Sequence, residues 1–302
     1  MGKNARRRRR GGLDGAPASK RRKRTEWTDS PLGRAVEPAG LVLSDGTEPN
    51  KLTVEPAIFQ KKLSALFRRH PNTQEAVDEF TESLKKYTDN SVRFRQALLP
   101  TSVADGADVM SRSGGLDSLM RQLLSVDYLQ PSVAHLLLLR LSSYMDTEPS
   151  SHSLNTRELC QMPALIINQL RWLDHIVNGK DLCRELLEVV GVAPVEIQRE
   201  IVTAIPEILD DAQHNNAALE LKSLLQSNSG LMAATIDAMS SLNLSFDIEA
   251  EVSRTIPIYC CLHLQNTQVL DVAMGCLGTA SVADLPLVLR FIMQQVNSKS
   301  AV

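Results

Sequence analysis

Aromatic residues are scarce, only 4% of the 302-residue chain. That shortage argues against a β-sandwich or barrel, whose strands draw on aromatic and β-branched side chains. Cysteine is scarce too. The five present, Cys160, Cys183, Cys260, Cys261 and Cys276, are odd in number and show no paired framework, so a reducing compartment is the simpler setting. No long apolar run occurs: Leu136–Leu141 is interrupted by Arg140 and falls far short of the roughly 20 residues a membrane helix needs. The N-terminus is polybasic with no apolar stretch behind it, so no secretory leader is read there and a soluble chain without membrane partners is expected.

Motifs of catalysis are likewise missing. Gly114-Gly115 lacks the following Lys-Ser/Thr or third glycine of a phosphate-cradling loop. Cys260, Cys261, His263 and Cys276 are metal-ligating types, but Cys-Cys-x-His is the wrong spacing for structural zinc, and buried thiols are the plainer reading. No nucleophile elbow or cysteine-protease motif joins Cys160 or Cys183 to His152, His175 or His214, which read as surface or cap histidines. Asp210-Asp211 and Glu185/Glu188 read as solvated charge at helix ends or exposed helical spacing. No enzyme activity, metal or cofactor is expected.

What the chain does have is aliphatic side chains and a lopsided charge. Hydrophobic residues make up 43%, ample for a buried core. The net charge of −2 conceals eleven Lys or Arg against one acid in residues 1–24, leaving 22 basic and 34 acidic residues in the remainder. Residues 1–50, rich in Gly, Pro, Ser and charge, bury too little surface to offset the entropy of ordering and are expected to be a disordered tail. Within it Arg6, Arg7, Arg8, Arg9 and Arg10 are separated by nine residues from Lys20, Arg21, Arg22, Lys23 and Arg24. Two such clusters match a bipartite signal for a nuclear import receptor, and the second could suffice alone. A solvated basic arm touching phosphates without specificity is the alternative, and both roles are compatible.

From about residue 51 to 302 the helical period takes over, predicting an all-α fold. Pro56 opens a helix with Phe59, Leu63 and Leu66 on one face, ended by Pro71, and Val77, Phe80, Leu84 and Tyr87 mark the next. Further apolar stripes run through Leu116–Val126, Val133–Tyr144, Pro163–Val177, Leu182–Val190, Ile197–Leu209, Leu219–Leu225, Leu231–Leu242 and Leu285–Val296. No alternating strand stands out. Met162-Pro163, Ile205-Pro206 and Leu285-Pro286 each read as a proline near a helix start, with the prolines 43 and 80 residues apart. Those intervals approximate one and two periods of a helix-pair repeat, and predict an irregular HEAT/armadillo-like α-solenoid of stacked helix pairs. The last stripe has no polar capping repeat behind it, so the chain is expected to be the N-terminal portion of a longer protein.

Specific segments then carry a resemblance. Phe59-Gln60-Lys61-Lys62-Leu63 with Arg68-Arg69-His70-Pro71, Leu129-Gln130-Pro131, and Gln169-Leu170-Arg171-Trp172-Leu173-Asp174 with Gly179-Lys180-Asp181-Leu182 come first. Ile205-Pro206-Glu207-Ile208-Leu209-Asp210 with Gln213-His214, and Asp284-Leu285-Pro286, follow. In order and spacing, over about residues 52–253 and 282–296, the sequence resembles the Fanconi anaemia group D2 family.

The resemblance implies a nuclear, non-enzymatic scaffold of interstrand-crosslink repair. In that family a long solenoid pairs with the homologous group I solenoid protein to clamp duplex DNA. The Fanconi ubiquitin ligase complex attaches one ubiquitin, to a lysine that would lie beyond this chain. A ubiquitin-binding, CUE-like segment would fall near Asp181–Leu225 and include Val192, Ala193, Pro194, Leu224 and Leu225. Solenoid core explains those five residues as well. Two departures stand out: Ala212-Gln213 occupies the place of a family Ser-Gln phosphorylation site, and Thr255–Gln268 reads as an inserted surface loop or a gene-model artefact. A nuclear adaptor of HEAT or armadillo type, binding protein partners, is the competing function.

Overall fold

Short polar side chains set five of the described helix starts. Ser30, Asn72, Asn90, Ser118 and Asn178 each accept a hydrogen bond from a backbone N–H two or three residues on, satisfying donors that a helix leaves free at its first turn. The computed structural model describes residues 27–103, 117–145, 161–227 and 229–252. Their helices are α1 Pro31–Ala39, α2 Pro56–Arg69, α3 Thr73–Thr88, α4 Ser91–Leu98, α5 Leu119–Leu124, α6 Gln130–Met145, α7 Gln161–Leu170, α8 Gly179–Val192, α9 Val195–Ile208, α10 Asp211–Ser227 and α11 Met232–Ser241. A 3-10 turn, Ser229–Leu231, precedes α11, and residues 246–252 are helical. The protein is thus mostly helical, as the aliphatic periodicity predicted.

The first helices pack through aromatic anchors. Phe59 and Phe67 of α2, Phe80 and Tyr87 of α3, and Phe94 of α4 are fully buried, and burying each such side chain is worth about 1.5–3 kcal/mol. Phe67 and Phe80 meet edge to face at 5.5 Å. The predicted face of α2 is nearly right: Phe59 and Leu63 are buried, but Phe67 fills the next position and Leu66 is exposed.

The folded part begins earlier than residue 51. Leu32, Ala35, Val36 and Ala39 put an i, i+3, i+4, i+7 stripe of α1 into the core, and two prolines and a glycine in nine residues had hidden that period. Trp27 packs edge-on to Tyr87 at 5.3 Å, and the Arg93 guanidinium sits 4.9 Å from the Trp27 ring centroid. Gly40, at φ 114°, ends α1 and turns the chain into a three-stranded patch absent from the sequence reading. In it β1 (Leu41–Val42) pairs antiparallel with β2 (Lys51–Leu52), which pairs parallel with β3 (Ser102–Val103). Strands of two residues are too short to show alternation. Buried Asn50 ties this patch to the helices, accepting from Ser44 N–H at 2.9 Å and from the Tyr87 hydroxyl at 3.2 Å.

Beyond α4, each described helix packs mainly against others no more than three places away in the chain. α6 meets α3, α5, α7 and α8; α9 meets α7, α8, α10 and α11. Two further predictions need correcting. The stripe through Pro163–Val177 is not one helix, because α7 stops at Leu170 and residues 171–178 form a connection. Pro206 lies in the last turn of α9, not at a helix start. Ile201, Ile205 and Ile208 carry the buried face straight past it, so its missing N–H costs one bond near the helix end, to Val202. The proline spacing is therefore no guide to a repeat at this position. Leu285–Val296 and Thr255–Gln268 lie outside the described residues.

Candidate protein-docking surface

The connection between α7 and α8 exposes the chain's second tryptophan. Helix α7 has no glycine to take the left-handed conformation that commonly ends a helix. Trp172 takes it instead, at φ 57°, where a residue with a Cβ is strained by about 1–2 kcal/mol. Trp172 is nevertheless 66% exposed. Backbone contacts hold it there.

Those contacts are numerous. Trp172 donates its N–H to the Glu207 carbonyl at 2.9 Å, while Arg171 Nε lies 3.1 Å from the Glu207 carboxylate. Arg121 of α5 donates to the carbonyls of Arg171 and Trp172, and to Gln169 at 3.2 Å. A cation beside the last carbonyls of α7 is favourably placed against the helix dipole. Gln169 is buried and locked in turn: it accepts from the Ser118 hydroxyl and donates to the Leu98 carbonyl at 3.3 Å. Gln130, at the start of α6, grips the far end of the same loop by accepting from Val177 N–H at 2.6 Å and donating to the His175 carbonyl at 2.7 Å.

Three helices, α5, α6 and α9, thus hold one short loop while Trp172, Val177 and, at the α5–α6 corner, Tyr128 remain exposed. A small cleft beside it is lined by Pro131, Ala134, Ile176 and Leu182 together with Asp181 and Glu185. An exposed indole of this extent offers on the order of 100–150 Å² to a partner, or about 3 kcal/mol of apolar burial. Rigid, exposed aromatics set against fixed backbone suit the recognition of a macromolecule. In the sequence Arg171-Trp172 stands out only as part of the Gln169–Asp174 motif. The signal that would have found it is a tryptophan where a helix of this length needs a C-terminal glycine.

The residues singled out from sequence fall elsewhere. Both basic clusters, Arg6–Arg10 and Lys20–Arg24, lie outside the described residues, as do Cys160, Cys260, Cys261, Cys276, His152 and His263. Val192 is 76% exposed and Pro194 is exposed at the α8–α9 elbow, whereas Ala193 is buried and Leu224 of α10 is half-buried against the core. The α8 and α10 helices run side by side: a Cβ on Gly179 would touch Gln213, and Asn216 reaches Cys183 Sγ at 4.0 Å. That register carries Val192 and Leu224 to the same end of the helix pair. Leu225 belongs to α10, at that same end.

His214 corrects the reading of the histidines as surface or cap groups, because its side chain is buried between α9, α10 and the segment after α11. His175 is exposed. Cys183 is a buried free thiol, and burial pushes its pKa up, the opposite of what an activated nucleophile requires. Glu185 pairs with His135 at 3.0 Å and Glu188 lies 3.8 Å from Arg184. Among the described residues no three His, Cys, Asp or Glu side chains gather as a metal site, and no helix is long and apolar enough to cross a membrane.

Comparison with known proteins places this architecture. The family model described as "Fanconi anaemia protein FancD2 nuclease" matches residues 4–302. The chain is 32% identical to the Fanconi anemia group D2 protein homolog of Rattus norvegicus over 276 residues, 91% of this chain and 17% of the rat protein. It is 30% identical to the Mus musculus homolog over the same coverage. Against the Fanconi anemia group D2 protein of Gallus gallus it is 32% identical over 266 residues, 87% of this chain and 17% of that protein. It therefore spans about a sixth of the length of these relatives, and with a match running from residue 4 to residue 302 the chain belongs to the FancD2 family of Fanconi anaemia proteins.

Proposed function

We propose that the chain is the N-terminal part of a nuclear α-solenoid scaffold in Fanconi anaemia repair of DNA interstrand crosslinks. The single observation that carries this is the family match over residues 4–302. In this reading the scaffold pairs with the homologous group I solenoid protein. It meets duplex DNA mainly through that complex, and it is monoubiquitinated by the Fanconi ubiquitin ligase complex. The helix-to-neighbour packing beyond α4 supports a solenoid, in which each unit buries its face against the next. Arg6–Arg10 and Lys20–Arg24 engage the import receptor, and the α8–α9 elbow, where Val192 and Pro194 are exposed beside buried Ala193, together with Leu224 and Leu225, is the place for ubiquitin.

The family description includes the word nuclease; the proposed role for this chain is instead to hold partners. The rigid presentation of Trp172 supports it, since a fixed exposed anchor suits docking. The test is complementation of a knockout line with the full-length protein carrying or lacking residues 27–302, so that both basic clusters are retained. Loss of crosslinker resistance and of co-precipitation with the group I protein, with general nuclear import intact, is the expected result. It also separates this role from that of a transport adaptor. Retained resistance, or cleavage of forked DNA by the purified chain, would overturn it.

A further inference from the structure

We infer that the surface around Trp172 receives an arginine- or lysine-bearing segment of a partner protein. The proposal rests on the scaffold reading for the existence of a partner and goes beyond it in naming the chemistry. Trp172 and Tyr128 are 66% and 41% exposed. They belong to two corners that Arg121 and Gln130 fasten together, because Tyr128 sits between those two residues in the chain and both bind the 171–177 loop. Each aromatic has an exposed carboxylate near it in the chain, Asp127 and Asp174, and neither acid has a cationic partner among the described residues. Of the cations that touch the loop, Arg121 is held by backbone carbonyls and Arg171 by Glu207.

Two exposed aromatics, each with an exposed carboxylate one or two residues away in the chain, favour a cation over any other occupant. The ring quadrupole attracts a guanidinium or ammonium, and the acids supply long-range steering. The same carboxylates, in a remainder with 34 acidic and 22 basic residues, oppose a nucleic-acid strand, whose phosphates need neutralising. The chain's own tail is basic as well, and the experiment separates it from a partner.

Fluorescein-labelled nona-arginine is titrated against the full 302-residue chain by anisotropy. Trp172→Gly is the informative variant, since it removes the indole at constant charge and the left-handed backbone suits glycine, so that folding is retained. The wild type should bind at least about fivefold more tightly than Trp172→Gly and Tyr128→Ala, with Asp174→Asn also weakened. Equal affinity of wild type and Trp172→Gly would overturn the proposal. So would tighter peptide binding when Lys20–Arg24 are changed to Gln, which assigns the surface to the chain's own tail. Trp172-dependent binding of a single-stranded 12-nucleotide DNA in place of the peptide would overturn it too. None of these results bears on crosslinker resistance or group I pairing, so the two readings fail separately.

Discussion

His214 accepts the Asn243 backbone N–H at Nδ1, 2.9 Å away, and faces the Leu209 carbonyl with Nε2 at 3.1 Å. The acceptor role at Nδ1 fixes the tautomer with hydrogen on Nε2, which donates to Leu209. One imidazole thereby joins the end of α9 to the segment after α11 across the first turn of α10. His214→Ala strands the buried Leu209 carbonyl, at about 1–3 kcal/mol, and also releases the part-buried Asn243 N–H and empties the space the imidazole fills. The variant should lose about 2–4 kcal/mol, read as a fall in the urea midpoint at pH 7.5. A shift below about 0.5 kcal/mol would show that water or a rearranged loop replaces both bonds.

Gly33 faces Trp27. A Cβ placed on it would lie 2.0 Å from the Trp27 carbonyl oxygen, a backbone atom that cannot swing aside, and that carbonyl also accepts from Ser30 N–H and Oγ. Helix propensity alone favours alanine over glycine by about 1 kcal/mol. Gly33→Ala is nevertheless expected to destabilise, lowering the melting temperature by several degrees. Stabilisation would mean that residues 27–42 contribute little to the fold.

Helices with long uninterrupted stripes, α2, α3 and α8, were legible because Phe59, Val77, Phe80, Leu84 and Leu186 repeat at helical spacing. The α1 segment was not, since Pro31, Gly33 and Pro38 imitate the composition of a linker although Leu32 and Val36 are fully buried. The α7 stripe was overextended because Leu173 and Val177 continue the period past Leu170, and only the contact of Trp172 with Glu207, 35 positions along, shows where the helix ends. The docking surface was illegible for the same reason: Arg121, Gln130 and Glu207 lie in three separate helices, and no local pattern announces that they converge.

Tyr87 makes an alkaline prediction. Burial is the main cause that pushes its phenol up to about 12 from an ordinary value of 10.0; its hydroxyl donates to the Ser44 carbonyl at 2.9 Å. The folded state thus keeps a proton that the unfolded chain releases near pH 10. The associated stability is fully present below that pH and is lost as pH rises towards 12, by up to about 2–3 kcal/mol at 1.36 kcal/mol per unit. Urea midpoints measured at pH 9 and pH 11 should diverge more for the wild type than for Tyr87→Phe, which has no phenol to titrate. Parallel losses in both proteins would assign the alkaline sensitivity to other groups.

Arg121 is the residue on which the exposed tryptophan depends. Its planar guanidinium spreads donors over the carbonyls of Gln169, Arg171 and Trp172, a fan that the single ammonium of lysine cannot reproduce. Arg121→Lys keeps the charge beside the end of α7 but releases the loop, so the left-handed strain at Trp172 is no longer opposed. Amide hydrogen exchange should accelerate at residues 171–178 by at least about tenfold, equivalent to roughly 1.4 kcal/mol of local opening. The overall melting temperature should fall by only a few degrees, because the cores of α3, α6 and α9 are untouched. Trp172→Gly in the Arg121→Lys background should recover part of the lost protection, as glycine removes the strain that drives the opening. Unchanged exchange in Arg121→Lys would show that Glu207 and Gln130 hold the loop without it, and that the indole's position is fixed by the α9 side alone.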